Sequence, residues 1–367
     1  MDLAVKDVAL RDFRNYENFD CGEFSNFNVF IGHNGSGKTN LIEAIQLLTS
    51  LCSFRNPRWD EVVRWGCNEA CIEATFCGSQ RSLDMRMRVA NRRRSYFLNG
   101  KLKSSKELRG ILPSVLFCPD DLRIVKGYSE TRRESLDSLG GQISKTYYEL
   151  KSNYSKAIKQ KSALLQSEYL DPSSLEPWNE NISVLGSLFV KHRLNLFERF
   201  RENMVGTYLE MVKETVIDIT YSPSWDEEGI ELRQSIYSAD EIAQKLSMKM
   251  DALKDAEIAS KKVLVGPQKD DVKIYIDGKE AKKYASQGQQ RFVTLSWKIA
   301  EMKTIEEICG SRPILLLDDV LSELDKGKKE ILAKYLLDGT QTFITATDVD
   351  SLDGDILDNA KVFDIGS

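Results

Sequence analysis

The first fifty residues carry a hydrophobic pattern that predicts two strands followed by a helix. LAVKDVAL alternates apolar and polar positions, as a half-buried strand does. FNVFI is a short apolar strand that runs directly into a glycine-containing stretch. TNLIEAIQLL then places four apolar residues on one helical face: Leu41, Ala44, Ile45 and Leu48. A strand, a glycine loop and a helix in this order predict an α/β fold.

The middle of the chain changes from strands to long helices. CIEATF and DMRMRV read as strands, and SYFLNGK predicts a hairpin whose turn is Asn99-Gly100. The range 130–213 is helical in pattern, with a break at Asp171-Pro172. Another helix is predicted over 238–262, because its Ser-Ala-Asp-Glu start is typical of a capped helix.

The last hundred residues return to strands, in VKIYIDGK, RPILLLDD and TQTFITATD. We therefore expect one α/β head with a β-rich subdomain, split into 1–128 and 263–367. An inserted all-helical lobe would occupy 129–262. Heptads do not persist through this insertion, so no long coiled coil is expected.

A complete phosphate-loop motif follows the FNVFI strand and precedes the first helix. Its residues match G-x-x-x-x-G-K-[ST], and the expected contacts extend one residue further: Gly32, His33, Asn34, Gly35, Ser36, Gly37, Lys38, Thr39 and Asn40. Lys38 can reach the β- and γ-phosphates, and Thr39 can supply a hydroxyl to Mg²⁺. A glycine turn that only caps a helix would not need Lys-Thr here. The motif therefore predicts binding of ATP with Mg²⁺.

Two further elements predict ATP hydrolysis. The apolar strand PILLL ends in Asp318, expected to hold Mg²⁺, and Asp319, expected to orient and deprotonate the attacking water. Upstream, SQGQQR opens a helix and resembles the signature motif of ATP-binding-cassette proteins. A helix N-terminus of this kind suits an anion, so Ser286, Gly288 and Gln289 are candidate contacts to a second nucleotide.

The order of these motifs carries a resemblance that runs nearly end to end. Ser322-Glu323-Leu324-Asp325 resembles the D-loop of cassette proteins, and it follows the phosphate loop, the signature and the acidic strand. Together with LRDFRNY, FCPDDLRIVKGYSETRRESLD, GPQKDDV and LLLDDVLSELD, these motifs resemble the RecF family of bacterial recombination mediators. That family consists of cassette-type ATPases related to the heads of structural-maintenance-of-chromosomes proteins.

The resemblance implies an ATP-dependent DNA switch. Each of two subunits would bind ATP, and the homodimer would close on double-stranded DNA near single-stranded DNA. Hydrolysis would open it, RecO and RecR would be partners, and loading of RecA would be the outcome. Gln268 and Lys269 replace the family's usual His-Arg pair, which puts any role of that pair in doubt.

Two features predict that hydrolysis is slow. Asp319 replaces the glutamate of transporter-type cassettes, and the range 345–348 holds no histidine where those cassettes carry a switch histidine. A shorter base and a missing histidine suit a timed clamp better than a motor.

The charge distribution qualifies the expectation of DNA binding. The 367 residues carry a net charge of −5, yet ten basic residues between Arg81 and Arg109 are opposed only by Asp84 and Glu107. This basic hairpin could contact DNA phosphates, or be a charged, solvated strand edge, or contact nucleotide through its tip at 92–94.

Other basic residues leave similar alternatives open. Arg14 is a candidate contact to the nucleotide phosphates, with a structural cation as the alternative. Five lysines of the helical lobe are rival DNA contacts, with an ordinary wet helix face as the alternative: Lys145, Lys151, Lys156, Lys159 and Lys161.

Composition excludes several classes of protein. No apolar run is long enough to cross a membrane, and the N-terminus lacks a secretory signal. Seven scattered cysteines in such a chain favour a reduced, cytoplasmic protein. The helical insertion argues against a transport cassette, and the missing coiled coil against a chromosome-organising head. An ATP-binding scaffold head with little turnover remains the alternative.

Overall fold

The structure is a computed structural model, and it describes residues 3–79, 81–226, 237–321, 326–336, 339–348 and 359–365. Its strands are β1 (Ala4–Phe13), β2 (Tyr16–Gly22), β3 (Phe27–Ile31), β4 (Glu69–Cys77), β5 (Ser82–Ala90), β6 (Arg93–Leu98), β7 (Lys101–Lys103), β8 (Ser114–Phe117), β9 (Ile217–Ser222), β10 (Asp271–Ile276), β11 (Lys279–Glu280), β12 (Ile314–Asp318), β13 (Thr342–Ala346) and β14 (Lys361–Asp364). Its helices are α1 (Lys38–Thr49), α2 (Trp59–Val62), α3 (Ser105–Leu108), α4 (Arg123–Lys126), α5 (Ser129–Ile143), α6 (Lys145–Leu165), α7 (Glu176–Met211), α8 (Ala239–Ala252), α9 (Lys254–Ser260), α10 (Ala281–Tyr284), α11 (Gln287–Cys309) and α12 (Lys326–Leu336).

The chain divides into two compact units. Unit 1 comprises 1–121 and 301–367, and unit 2 comprises 122–300. The sequence assigned 263–300 to the head, whereas the structure groups this range with the insertion. The physical reason is pairing, since β10 forms an antiparallel ladder with β9 of the insertion. As functional domains, 1–128 with 263–367 and 129–262 stay a prediction.

Unit 1 contains two sheets with different chemistry. One is antiparallel, in the order β2-β1-β4-β5-β6-β7, and the other is parallel, in the order β14-β3-β13-β12-β8. Every residue of β12 and β13 is buried, as expected for inner strands of a parallel sheet. Apolar residues of both sheets share one core with the first helix.

Helix α1 lies within this core. It contacts β4 and β5 of the antiparallel sheet as well as β8, β12 and β13 of the parallel sheet. The sequence predicted one apolar face, but Ile42 and Leu47 outside that face are also fully buried. A helix covered on two sides requires apolar residues around most of its circumference. The phosphate loop is therefore followed by a helix that is packed on two sides.

Unit 2 is built on long helices and one small sheet. Helices α5, α6 and α7 confirm the helical prediction for 130–213, and a capping box at Ser238 begins α8 as predicted. One correction is needed: the range 129–262 also contains β9, in a sheet of order β11-β10-β9. The alternating segment IDITYS was obscured by the helical pattern around it. The Asn99-Gly100 turn predicted in unit 1 is confirmed, with φ of 49° and 73°.

Across the described ranges, no helix is both long and apolar enough to cross a membrane.

Candidate functional site: the phosphate loop and its acidic strand

The phosphate loop joins β3 to α1 and depends on two glycines in left-handed conformations. Gly35 has φ of +89° and Gly37 has φ of +112°, values that side-chain-bearing residues rarely adopt. A Cβ added at Gly37 would also lie 2.7 Å from both the Asn15 amide nitrogen and the Tyr16 hydroxyl. Neither position therefore accepts a larger residue without rearrangement, which explains the glycine spacing of the motif.

Lys38 is held inside this loop. Its ammonium donates to the carbonyl oxygens of Gly32 at 2.6 Å and His33 at 3.0 Å, and the residue is only 9% exposed. These two hydrogen bonds therefore hold the ammonium of Lys38 against the loop backbone. Lysine at the first helical position and backbone N–H groups behind it form the kind of concavity that binds phosphate.

Thr39 connects the loop to the acidic strand. Its hydroxyl donates to Asp318 Oδ1 at 2.9 Å, and the hydroxyl of Thr345 donates to the same oxygen, also at 2.9 Å. The backbone N–H of Asp319 donates to Thr345 Oγ1 at 2.9 Å. The strands β3, β13 and β12 are neighbours and parallel, so their carboxyl ends bring these residues to one edge.

The carboxyl group of Asp318 lies at this edge in surroundings that disfavour its charged form. Burial raises the pKa of its carboxyl group, and the hydrogen bonds from Thr345 and Thr39 only partly oppose that shift. Asp319, the next residue, has φ of +54°, so the backbone turns sharply where the strand ends. The carboxyl group of Asp318 is therefore buried at the strand end, whereas that of Asp319 follows it on a sharp turn.

A cavity of about 330 Å³ opens at this edge. Its lining residues all belong to unit 1: Asn34, Gly35, Gly37, Lys38, Thr39, Asn40, Arg55, Asp319 and Thr345. Seven of these were predicted from the sequence. Gly32, His33 and Ser36 belong to the loop itself, and Asp318 supports Thr39 from behind. The structure thus gathers the predicted loop and acidic residues around one cavity.

Arg55 and Thr345 are lining residues that sequence reasoning missed. Thr345 had a usable signal, because it lies near the end of a strand parallel to the one ending in Asp318. Arg55 had none, since it lies in an irregular loop after α1. Its guanidinium donates to Asn40 Oδ1 at 2.5 Å and to Glu43 Oε2 at 3.0 Å.

Arg14 contacts the same glutamate. It donates to Glu43 through Nε at 3.0 Å and Nη2 at 2.8 Å, and the Glu43 side chain is fully buried. A buried carboxylate requires compensation, so these contacts support the structural-cation alternative for Arg14. A contact between Arg14 and nucleotide phosphates stays a prediction.

The signature residues lie in unit 2, at the start of α11. Ser286 Oγ accepts from the Gln289 backbone N–H at 3.3 Å, and Gln289 Oε1 accepts from the Ser286 N–H at 2.9 Å. This reciprocal capping fixes the helix N-terminus with Ser286 and Gly288 exposed. Their contact with a second nucleotide stays a prediction. The predicted D-loop at 322–325 lies outside the described residues.

The basic hairpin is partly neutralised by the strand beside it. Arg86 pairs with Glu73, and Arg88 with Glu69, across the β4–β5 ladder. At the hairpin tip, Arg92 lies 3.3 Å from a carboxylate oxygen of Asp60. The sequence count set the basic residues against Asp84 and Glu107 alone, because partners on a neighbouring strand are invisible to it. DNA contact by this hairpin stays a prediction.

Two of the five candidate lysines of the helical region have structural partners. Lys161 is fully buried, with its ammonium 2.6 Å from Glu257 Oε2, and Lys151 lies 3.5 Å from Asp137 Oδ2. The remaining three are exposed on α6: Lys145, Lys156 and Lys159. DNA contact by the lysines of this set stays a prediction.

Comparison with known proteins places this chain in a family. Residues 4–359 match the family model described as the RecF/RecN/SMC N terminal domain. The DNA replication and repair protein RecF of Oceanobacillus iheyensis is 32% identical over 367 residues, covering 98% of each chain.

Solved structures agree with that assignment. A structure of the recombination mediator protein RecF-ATP in the RecFOR pathway superposes with a TM-score of 0.88 at 29% identity, covering 99% of this chain and 95% of that one. An Smc head domain from Pyrococcus furiosus shares the fold, with a TM-score of 0.54 at 16% identity and coverage of 99% and 93%. The chain, with its phosphate loop and acidic strand, therefore belongs to the RecF family of DNA replication and repair proteins.

Proposed function

We propose that this chain is an ATP-dependent DNA-binding switch of recombinational and replication-gap repair. The observation that carries the proposal is the hydrogen-bond chain from Thr39 through Asp318 to Thr345. It joins the phosphate loop to the acidic strand at the mouth of a cavity of about 330 Å³. The family relative solved as RecF-ATP supports the choice of nucleotide.

The donor set at this edge fits ATP with Mg²⁺. Lys38 would hold the β- and γ-phosphates, and the loop N–H groups of 35–38 would bind their oxygens. Thr39 and Asp318 offer a hydroxyl and a carboxylate, the hard oxygen donors that Mg²⁺ prefers. When bound, Mg²⁺ would neutralise charge on the phosphate oxygens.

Asp319 would orient the attacking water and accept its proton. The backbone N–H of Asp319 is fixed by Thr345, so its turn is supported from the neighbouring strand. Aspartate is one methylene shorter than glutamate and reaches less far toward the water. We therefore propose slow, DNA-stimulated turnover that times release.

Two subunits would share each ATP, with Ser286, Gly288 and Gln289 of one subunit contacting the nucleotide of the other. The start of α11 supports this, because reciprocal capping fixes the helix N-terminus and leaves Ser286 and Gly288 exposed. ATP would thus drive dimerisation on duplex DNA near single-strand junctions. Hydrolysis would release the DNA, and the cycle would help RecO and RecR to load RecA.

Two substitutions test the proposal against an ATP-binding scaffold with little turnover. Lys38→Arg should impair nucleotide binding and dimer formation. Asp319→Asn should retain ATP binding, abolish turnover and trap dimers on gapped duplex. Asp364→Asn is the matched control, since it makes the same change at an exposed carboxylate on β14 of unit 1. If the wild-type protein binds ATP but its turnover does not exceed that of Asp319→Asn, with or without DNA, the result supports the ATP-binding scaffold instead.

A further inference from the structure

Two short segments of unit 2 share an unusual surface composition. Residues 123–128 read RIVKGY and residues 279–284 read KEAKKY, so each combines basic residues with a terminal tyrosine. Both tyrosines project into solvent, with Tyr128 81% exposed and Tyr284 69% exposed. Tyrosine usually buries much of its ring, so two such exposed rings are a feature to explain.

The two segments lie side by side. Helix α10, which contains Tyr284, packs against α4, which ends two residues before Tyr128. The ammonium of Lys282 lies 5.6 Å from the centre of the Tyr128 ring, within cation–π range. We call the surface formed by 123–128 and 279–284 the lysine–tyrosine patch.

The patch has a local excess of positive charge. Its two segments contain five basic residues and a single carboxylate, Glu280. That carboxylate is already compensated, because Lys283 lies 2.9 Å from its Oε2 and Lys273 and Lys282 are close by. The pKa of Glu280 is lowered accordingly, first by its hydrogen bond with Lys283. Leaving aside Lys283 and Arg123, which has a partner of its own, the two segments still carry Lys126, Lys279 and Lys282.

This differs from the other two basic regions of the chain. The hairpin arginines Arg86 and Arg88 face glutamates across a ladder, and Lys161 is fully buried. In the hairpin, the Arg94 guanidinium lies 4.5 Å from the centre of the Trp59 ring, but that ring is only partly exposed. In the lysine–tyrosine patch, by contrast, the ring beside the cation is 81% exposed.

Cations beside exposed aromatic rings fit one class of polyanion. Lysines hold phosphates, while each tyrosine offers a face on which an unpaired base can stack. Duplex DNA keeps its bases stacked on one another, so it would use the lysines and gain nothing from the rings. An acidic protein surface would likewise not require the rings.

We propose that the lysine–tyrosine patch binds single-stranded DNA, with bases stacked on Tyr128 and Tyr284 and phosphates held by Lys126 and Lys282. This inference rests on the proposed DNA-binding function and assigns it a surface. The lysine–tyrosine patch would allow the protein to distinguish the single strand of a gap from the flanking duplex.

The test compares binding of a labelled oligothymidylate and a duplex of equal length, by fluorescence anisotropy with ATP and Mg²⁺. The double variant Tyr128→Ala/Tyr284→Ala should lose at least about ten-fold in affinity for the single strand. Its affinity for duplex should stay within about two-fold. Tyr128→Phe/Tyr284→Phe keeps both rings and should bind the single strand like wild type. Tyr169→Ala, a 94% exposed tyrosine elsewhere in unit 2, is the matched control.

A second pair of substitutions tests the phosphate contacts. Lys126→Gln/Lys282→Gln should reduce the slope of log affinity against log salt by about 1.4 for the single strand, since each contact contributes about 0.7. Photo-cross-linking of a bromouracil oligonucleotide should label Tyr128 or Tyr284.

Three results would overturn the inference. They are single-strand affinity of the alanine double variant that is unchanged from wild type, a loss of duplex affinity equal to the loss of single-strand affinity, or an equal loss of affinity for polyglutamate. Failure of the proposed function looks different, because wild-type protein would then bind neither DNA in any nucleotide state. Nucleotide binding and ATP-dependent dimer formation, measured on the same variants, separate the two. The patch residues lie outside the phosphate-loop cavity, but Tyr284 is two residues before Ser286, so a variant counts only if it still forms the dimer.

Discussion

The hydroxyl of Thr39 donates a 2.9 Å hydrogen bond to Asp318, a residue 279 positions further along the chain. Thr39 lies in the first turn of the helix after β3, and Asp318 ends β12. The strand between them, β13, supplies Thr345 to the same carboxylate oxygen. A parallel sheet thus converts three distant sequence segments into one hydrogen-bonded group at the cavity edge.

Thr345→Val should slow ATP hydrolysis more than it weakens ATP binding. Valine keeps the shape but removes the acceptor for the Asp319 N–H and one donor to Asp318. A lost hydrogen bond of about 1–2 kcal/mol corresponds to roughly ten-fold in rate. Steady-state turnover and nucleotide titration measure the two effects, and Thr345→Ser should restore turnover. Equal turnover by the valine variant would remove Thr345 from the mechanism.

Arg14→Ala should destabilise the fold and leave ATP affinity nearly unchanged. It leaves the fully buried Glu43 with Arg55 and Ser53 as partners, at a cost of about 2–3 kcal/mol in the free energy of unfolding. Urea denaturation and nucleotide titration distinguish the two alternatives for Arg14. A stable variant with sharply weakened ATP binding would establish a phosphate contact instead.

Asp318 predicts a pH dependence of stability. Burial raises its pKa, so between its ordinary value and the raised one the folded chain holds a proton that the unfolded chain has lost. The free energy of unfolding should therefore decrease as pH rises through that window. Above the window, the whole cost of burying the charged carboxylate of Asp318 remains. Asp318→Asn removes this penalty.

In metal-free buffer, Asp318→Asn should accordingly be at least as resistant to urea as wild type at neutral pH. Adding ATP with Mg²⁺ should stabilise wild type much more than the variant, because the amide is a poorer ligand for the cation. A variant less stable than wild type without metal would show that the hydrogen bonds of Asp318 outweigh the cost of its burial.

The helical region of the chain was predictable, but its inward-facing polar residues were not. Periodicity indicated the helices of 130–213, and a capping signal indicated the start of α8. Lys161 looked like a surface residue because lysine is normally exposed. Its burial depends on Glu257, a partner on another helix that helical periodicity does not reveal.

Lys161→Met tests that buried pair. It leaves Glu257 buried without its cation, and we expect a loss of about 3–5 kcal/mol in the free energy of unfolding. Adding Glu257→Gln should recover most of the loss, because the amide can still accept from the Leu264 N–H. Lys159→Met, on the exposed side of α6, should change little. Guanidinium denaturation of all variants gives the comparison, and additive losses in the double variant would contradict the pairing.

The site could be predicted as far as its motifs extend. The residues 32–39 and Asp318-Asp319 fall within patterns whose spacing is fixed by phosphate chemistry, and six of them line one cavity. Arg55 could not be found in this way, since its place depends on Glu43 and an irregular loop. The charge of the hairpin was overstated for a similar reason: a linear count omits the glutamates of the neighbouring strand.

The proposed switch requires that ATP drive two copies of this chain together on DNA. The most direct measurement is the molar mass in solution, by light scattering, with and without ATP, Mg²⁺ and gapped duplex. We expect a monomer without nucleotide, a dimer on the duplex with ATP, and a persistent dimer for Asp319→Asn. A monomer under every condition, from protein that demonstrably binds ATP, would contradict the account.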